Sequence, residues 1–330
     1  MKKTQVFSKL FLGIISCFLL FSCQEVSKHK TLKLAHGLDP THPVHKSMLY
    51  MAEELEKISD GQMSLEIYPS GQLGSEQQCV ELIQLGSLAI TKVSAAVMEG
   101  FTNNYQVLGL PYVFRSKHHA FNVLDGPIGE ELLASTEKFN LKGLCFYDAG
   151  ARSFYTLNKS IETPEDLKGL KMRVMKSQTA MSMVKALGGS PTPISWGELY
   201  TALQSGVVDG AENNPPSLYT SHHYEVCKYY SLNEHTRVPD VLIISTVVWN
   251  KLNEQQQKWL QAAAKKSVIE ERKLWAASEE ESLRKLKENG VIITYPKKDK
   301  FAERVQPLLN AYQDQPKLYQ LIQRIQATED

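Results

Sequence analysis

Apolar and polar positions alternate in several short runs along the chain, and longer runs with helical spacing separate them. Leu32–Leu38 (LKLAHGL) reads as a first strand and its outgoing loop. It is followed by a helix around His45–Ser59 with Met48, Met51, Ala52 and Leu55 on one face. Ser64–Tyr68 alternates around Leu65 and Ile67, a second strand, and PSGQLGSEQQCVELIQLGSL then opens from a glycine-containing loop into a helix. Ala89–Ser94 is a third strand, Gly109–Arg115 begins a connecting element, and Lys142–Asp148 is strand-like. In GLKMRVM, Leu170, Met172 and Val174 alternate with Lys171 and Arg173, the period of a strand with two distinct faces. Thr163-Pro-Glu-Asp is a helix start: a capping hydroxyl, proline in the first turn, and acids at the positive dipole end. A helical stretch near Thr179–Leu187 ends at Gly188-Gly189. Val241–Thr246 is a largely apolar strand, and Val291–Tyr295 another.

This βα rhythm predicts an open α/β sheet architecture, in which ligands sit at the carboxyl ends of strands. The 330 residues exceed the usual reach of one core, so two lobes are expected, with no low-complexity linker between them. The first lobe is expected over 31–149 and 240–278, the second over 150–239 and 279–330, with the Val241–Thr246 strand returning to the first. From about Glu254 to Glu288 a helical pattern runs without glycine or proline. At 1.5 Å per residue it is on the order of 50 Å long, enough to lie along both lobes. A helical hairpin or coiled coil is the alternative.

The N-terminus changes the picture of where the protein works. Lys2, Lys3 and Lys9 precede the apolar run Leu10–Phe21, too short to span a bilayer and suited to a signal-peptide core. The run ends in Leu20-Phe21-Ser22-Cys23, which resembles a bacterial lipobox. Residues 1–22 are therefore expected to be a signal peptide, Cys23 a lipidated first residue anchoring the protein to a membrane, and 23–30 a polar tether. Ordinary cleavage without lipid is the alternative. Losing three lysines and no acid takes the formal charge from +1 to −2, so no basic field recruits nucleic acid. Past the signal no second long apolar run appears. Cys79, Cys145 and Cys227 lack C-x-x-C spacing and read as buried apolar residues, neither a disulfide framework nor a metal site.

The chemistry concentrates in Thr163–Pro216. An arginine late in a strand, Arg173, presents a planar fork able to make two charge-assisted bonds to a carboxylate, which lysine cannot reproduce. A structural ion pair at a sheet edge is the competing reading. No G-x-S-x-G elbow, H-E-x-x-H, phosphate-binding loop or dinucleotide fingerprint occurs. His118-His119 and His222-His223 are adjacent pairs that point apart and make poor chelators. A hydrolase built from scattered residues remains the rival class, with a sensor-linked receptor as a third.

The order of strand arginine, helix, turn, aromatic, helix and Glu-Asn-Asn cluster resembles the substrate-binding proteins of TRAP-type (tripartite, ATP-independent) transporters. The resemblance covers nearly the whole mature chain and is strongest over YPSGQLGSEQQ, LGLPYVF, 163–217 and the long helix. It implies a two-lobed periplasmic-binding-protein fold with one helix bridging both lobes. It also implies a periplasmic monomer without cofactor or metal that captures an organic acid by hinge closure and delivers it to membrane permease subunits. By resemblance, Arg173 grips the ligand carboxylate, Arg152 is a second arginine at the lobe junction, and Asn213 helps orient the carboxylate. Trp196 stands where the family has an aromatic against the ligand, and Glu76 where an acid contacts ligand hydroxyls. Each has a structural alternative: Trp196 as core, Glu76 as a helix-dipole partner, Asn213 as a turn residue before Pro215-Pro216, Arg152 as a lobe bridge. Lys92 and Ser94 share one strand face and are expected to point into the cleft, and His36 ends the first strand within reach of a hydroxyl. Sialic-acid-binding members carry an acid and an arginine around Ser94–Val97, and this chain has Ser94 and Val97 there. TKVSAAVMEGF with GAENN is most similar to members that bind hexuronates such as glucuronate or galacturonate, ahead of sialic acid, aldonates and C4-dicarboxylates.

Overall fold

The structure, a computed structural model, describes residues 29–330. The expected signal peptide, the lipidated Cys23 and the tether up to residue 28 lie outside the described residues. Among the described residues eleven strands form two sheets. They are β1 (Lys30–Ala35), β2 (Met63–Tyr68), β3 (Ile90–Ser94), β4 (Leu141–Tyr147), β5 (Arg152–Thr156), β6 (Lys171–Val174), β7 (Ser190–Pro193), β8 (Gly210–Asn213), β9 (Tyr229–Thr236), β10 (Asp240–Ser245) and β11 (Ile292–Thr294). The first sheet has the order β2-β1-β3-β10-β4, the second β11-β9-β5-β8-β6-β7.

In the first sheet β1 pairs parallel to β2 and β3, as crossover helices require. The late strand β10 then inserts antiparallel between β3 and β4, with Asp240 opposite Ser94 and Leu242 opposite Lys92. Its all-buried side chains suit a central strand covered on both faces. The second sheet is mixed. Arg173 of β6 lies beside Thr192 of β7 and Ala211 of β8. Strand β7 carries two prolines, tolerated because it is the sheet edge.

The helix Glu254–Glu288 runs unbroken for 35 residues, with Asn253 and Gln256 forming a reciprocal cap at its start. From its start to beyond its midpoint it packs in the first lobe's core, through Leu260, Ala263, Ala264 and Trp275. Leu286 near its end lies in the core of the second. Hence the single bridging helix is what forms, in place of a hairpin. Among the described residues no helix is long and apolar enough to cross a membrane. Cys79, Cys145 and Cys227 are free and buried.

The C-terminal segment departs from expectation. The helix Pro316–Ala327 returns to the first lobe, where Leu318, Leu321, Ile322 and Ile325 enter a core with Val123, Leu124 and Leu132. Its last carbonyls are capped from that lobe: Arg115 donates to Gln326 O and Thr328 O at 2.7 and 2.6 Å, and His119 bonds Ile325 O at 2.8 Å. Those satisfied carbonyls explain why this end stays docked on the first lobe. The part of 279–330 before it does belong to the second lobe: β11 pairs with β9, and the helix Lys298–Asn310 packs there through Phe301 and Val305.

Candidate functional site

Between the two sheets lies a cleft of about 610 Å³, within the size range of small-molecule sites. Strand ends from both lobes line it, and the lobes touch across it. Lys176 Nζ donates to Gln77 Oε1 at 3.3 Å, and His42 Nε2 shares a 3.2 Å hydrogen bond with Ser217 Oγ.

The second-lobe wall is cationic. Arg173 is 2% exposed, yet its guanidinium meets no carboxylate among the described residues. Nε donates to Ile194 O at 2.8 Å, and Nη1 is buried with no partner among the described residues. Desolvation pulls its pKa down, with Tyr155 and Glu212 acting against that pull. The guanidinium carbon lies 5.9 Å from the centroid of the half-buried Trp196 ring, which also lines the cleft. A buried unpaired donor on a cation is costly unless a ligand completes it.

Arg152, beside it, is mostly committed. Nε donates to Glu212 Oε2 at 2.5 Å, and Nη2 to Glu212 Oε1 at 2.9 Å and Glu212 O at 2.8 Å. Nη1 donates to Asn213 Oδ1 at 2.7 Å. That uses four of five N–H groups and leaves one on Nη1. Burial pushes the Glu212 carboxyl up, but Arg152 and His235 pull harder and hold it at about 2. Arg152 is thus both a structural ion pair and a cleft-lining group. Asn213 Oδ1 also accepts from Asn214 N at 2.9 Å, and its amide nitrogen has no hydrogen-bond partner among the described residues. Asn214 holds the turn: its Oδ1 accepts from Ser217 N at 2.8 Å, and its Nδ2 reaches Ala149 O at 3.0 Å.

The first-lobe wall is different in kind. Lys92 is 3% exposed and its Nζ lies 2.7 Å from Glu76 Oε1 and 3.2 Å from Asp240 Oδ1. Glu76 Oε2 also accepts from Ser94 N at 3.3 Å, at the start of the capped helix Glu76–Gln84. Burial lifts the Asp240 pKa, while Lys92 pulls it back. Ser94 Oγ caps the short helix Ala95–Met98 from the cleft wall.

Of the expected site residues, Arg173, Arg152, Asn213, Trp196, Glu76, Lys92 and Ser94 all line this one cleft. His36 does not. Its Nε2 shares a 2.9 Å hydrogen bond with His45 Nδ1, and its Nδ1 accepts from Leu38 N at 3.1 Å. With both nitrogens satisfied and burial holding it neutral, its pKa down at about 3, His36 is a structural residue behind the wall. Sequence reading missed Asp240, His42 and Ser217. Asp240 leaves one signal, a lone acid heading the otherwise apolar strand VLIIS. His42 leaves only its place before Pro43, where it caps the helix Pro43–Ile58.

Two α/β lobes joined by one long helix, closing on a cleft with an unsatisfied buried arginine, define an extracytoplasmic solute-binding protein. The match to known proteins agrees: over residues 34–315 the sequence fits the family described as bacterial extracellular solute-binding protein, family 7. This chain belongs to that family, the TRAP-type periplasmic solute-binding proteins, which serve transporters through membrane permease subunits and are not enzymes. It is 38% identical over 321 residues to the uncharacterized protein YiiZ of Salmonella typhimurium, covering 97% of each chain. A TRAP periplasmic solute binding protein of Xanthobacter autotrophicus, solved with β-D-galacturonate, superposes with a TM-score of 0.87 at 41% identity. That match covers 90% of this chain and 100% of that one. One from Anaerococcus prevotii with α/β D-glucuronate gives 0.88 at 37% identity, covering 90% and 97%.

Proposed function

We propose that this protein captures a hexuronate, galacturonate or glucuronate, and presents it to its permease. The buried Arg173 carries the reading: among the described residues its Nη1 has no partner and no carboxylate answers its charge, while the side chain lines the cleft, where a ligand acceptor would complete it. A carboxylate supplies two such oxygens. The remaining Nη1–H of Arg152 and the free amide of Asn213 extend the same patch, Trp196 offers an apolar face for a sugar ring, and Glu76 and Lys92 on the opposite wall accept from and donate to hydroxyls. Hexuronates bound in similar structures support that choice, and Ser94 and Val97 replace the acid and arginine that characterise the sialic-acid binders.

A thermal-shift panel of hexuronates, aldonates, sialic acid and C4-dicarboxylates tests it. Hexuronates are expected to raise Tm progressively with concentration, the folded state gaining about 2.7 kcal/mol at a hundredfold excess over Kd. Stabilisation by a dicarboxylate alone contradicts the assignment. We further propose that the protein acts as a monomer held at the membrane by a lipid on Cys23, motivated by Leu20–Cys23. Cys23→Ala is expected to leave unprocessed precursor or release soluble protein, and unchanged mass and membrane fractionation would remove the anchor.

A further inference from the structure

The first-lobe wall carries charges that a carboxylate grip on the second lobe does not require. Lys92 from β3, Glu76 from the first turn of Glu76–Gln84 and Asp240 from β10 converge there, two acids sharing one ammonium at 2.7 and 3.2 Å. Desolvating three ions is expensive, and a core that needed only packing would hold apolar residues at these positions. The group is also incompletely satisfied. Glu76 spends its second oxygen on Ser94 N, whereas Asp240 Oδ2 accepts no hydrogen bond among the described residues and Asp240 lines the cleft. Lys92 keeps one N–H beyond its two acids. The cation nearest in kind, Arg152, is already neutralised by Glu212. Among the described residues one wall therefore presents a cation without an ion-pair partner, Arg173, and the other two acids to one ammonium.

We propose that Asp240, held with Glu76 by Lys92, is a specificity-determining residue: it accepts hydrogen bonds from the hydroxyl end of the sugar acid and rejects acids bearing a second carboxylate there. This rests on the hexuronate reading. With its single carboxylate on Arg173, a hexuronate turns its anomeric and neighbouring hydroxyls to the opposite wall, where each O–H finds an acceptor. Oxidising C1 to a carboxylate makes the matching aldaric diacid, whose new group has no proton to donate and brings like charge against Asp240 in a partly desolvated site. Selectivity of this kind works by repulsion as much as by attraction.

Calorimetry tests it with galacturonate or glucuronate, whichever the parent binds more tightly, against the aldarate obtained by oxidising its C1. The parent is expected to prefer the monoacid by at least about tenfold. Asp240→Asn keeps the shape and removes the charge. It is expected to weaken the monoacid roughly 10- to 100-fold, the range for a hydrogen bond to a charged group. The diacid should lose less or gain, so that the ratio narrows. Glu76→Gln, at a more exposed position, is expected to narrow it in the same direction and serves if Asp240→Asn does not fold. A parent that binds neither sugar acid overturns the hexuronate reading. A parent that binds both equally, or a ratio unchanged in the folded variants, overturns the role of Asp240 alone.

Discussion

Two arginines side by side in this cleft do different jobs, and the difference lies in what each already holds. Arg152 is tied to Glu212 by a bidentate pair and a backbone contact, so its charge is spent and its geometry fixed. Among the described residues Arg173 has a hydrogen bond to Ile194 O and a buried Nη1 without a partner. Glu212 is consequently the residue on which the wall's stability rests. Its carboxyl titrates at about 2 in the folded protein against 4.5 for the ordinary group. Being depressed, it contributes stability that is present above pH 4.5 and lost as pH falls towards about 2. Glu212→Gln strands Arg152 as a buried uncompensated charge. Denaturant unfolding at neutral pH is expected to show a loss of about 3–5 kcal/mol, and a loss under about 1 kcal/mol would mean the pair is dispensable.

Elements with a clean period were legible from the chain alone, and those defined by partners were not. The long helix reads off its spacing because nothing interrupts 35 residues and a reciprocal cap marks its start. Strand β6 reads from its alternation, and with it Arg173. Strand β7 is Ser-Pro-Thr-Pro, a composition that argues against a strand until the sheet supplies an edge. That β10 would bring Asp240 beside Ser94 depends on its insertion between β3 and β4, a tertiary fact with no local signature. The C-terminal helix has an apolar stripe that suits either lobe, and the donors of Arg115 and His119 decide the matter. Across the lobes, Glu99 from the first accepts from Ser177 Oγ at 2.9 Å and Thr179 N at 3.1 Å at the start of the helix Gln178–Ala186. Burial lifts its carboxyl from 4.5 to about 7, against those hydrogen bonds. Between these two values the folded state holds a proton the unfolded chain has released, so stability falls as pH rises from 4.5 to about 7 and is level above. Unfolding midpoints of Glu99→Gln are expected to lose that slope, and a pH profile parallel to the parent would assign it to another group.

At the scale of the molecule, the second lobe presents a buried arginine with few partners among the described residues and the first a charged wall of Lys92, Glu76 and Asp240, which on our proposal grip the carboxylate and read the hydroxyls of a sugar acid. The chain passes between them at 148–151 and 237–239, along the helix Glu254–Glu288, and again before the C-terminal helix, so closure bends several connections together. Lys176–Gln77, His42–Ser217 and Glu99–Ser177 tie the lobes at separate places around the cleft. A ligand that bridges Arg173 to the opposite wall adds to these ties and favours the closed form in proportion to its preference for it. Ligand capture as proposed depends first on Arg173, and calorimetry of a hexuronate with folded Arg173→Ala tests that dependence most directly. Removing one side of a buried charge-assisted pair typically costs ~2–5 kcal/mol. The affinity is therefore expected to fall roughly 30- to 5,000-fold, and Arg173→Lys is expected to bind poorly as well, because an ammonium lacks the fork. Affinity within about threefold of the parent, less than ~1 kcal/mol, would show that Arg173 is structural and that the carboxylate is held elsewhere.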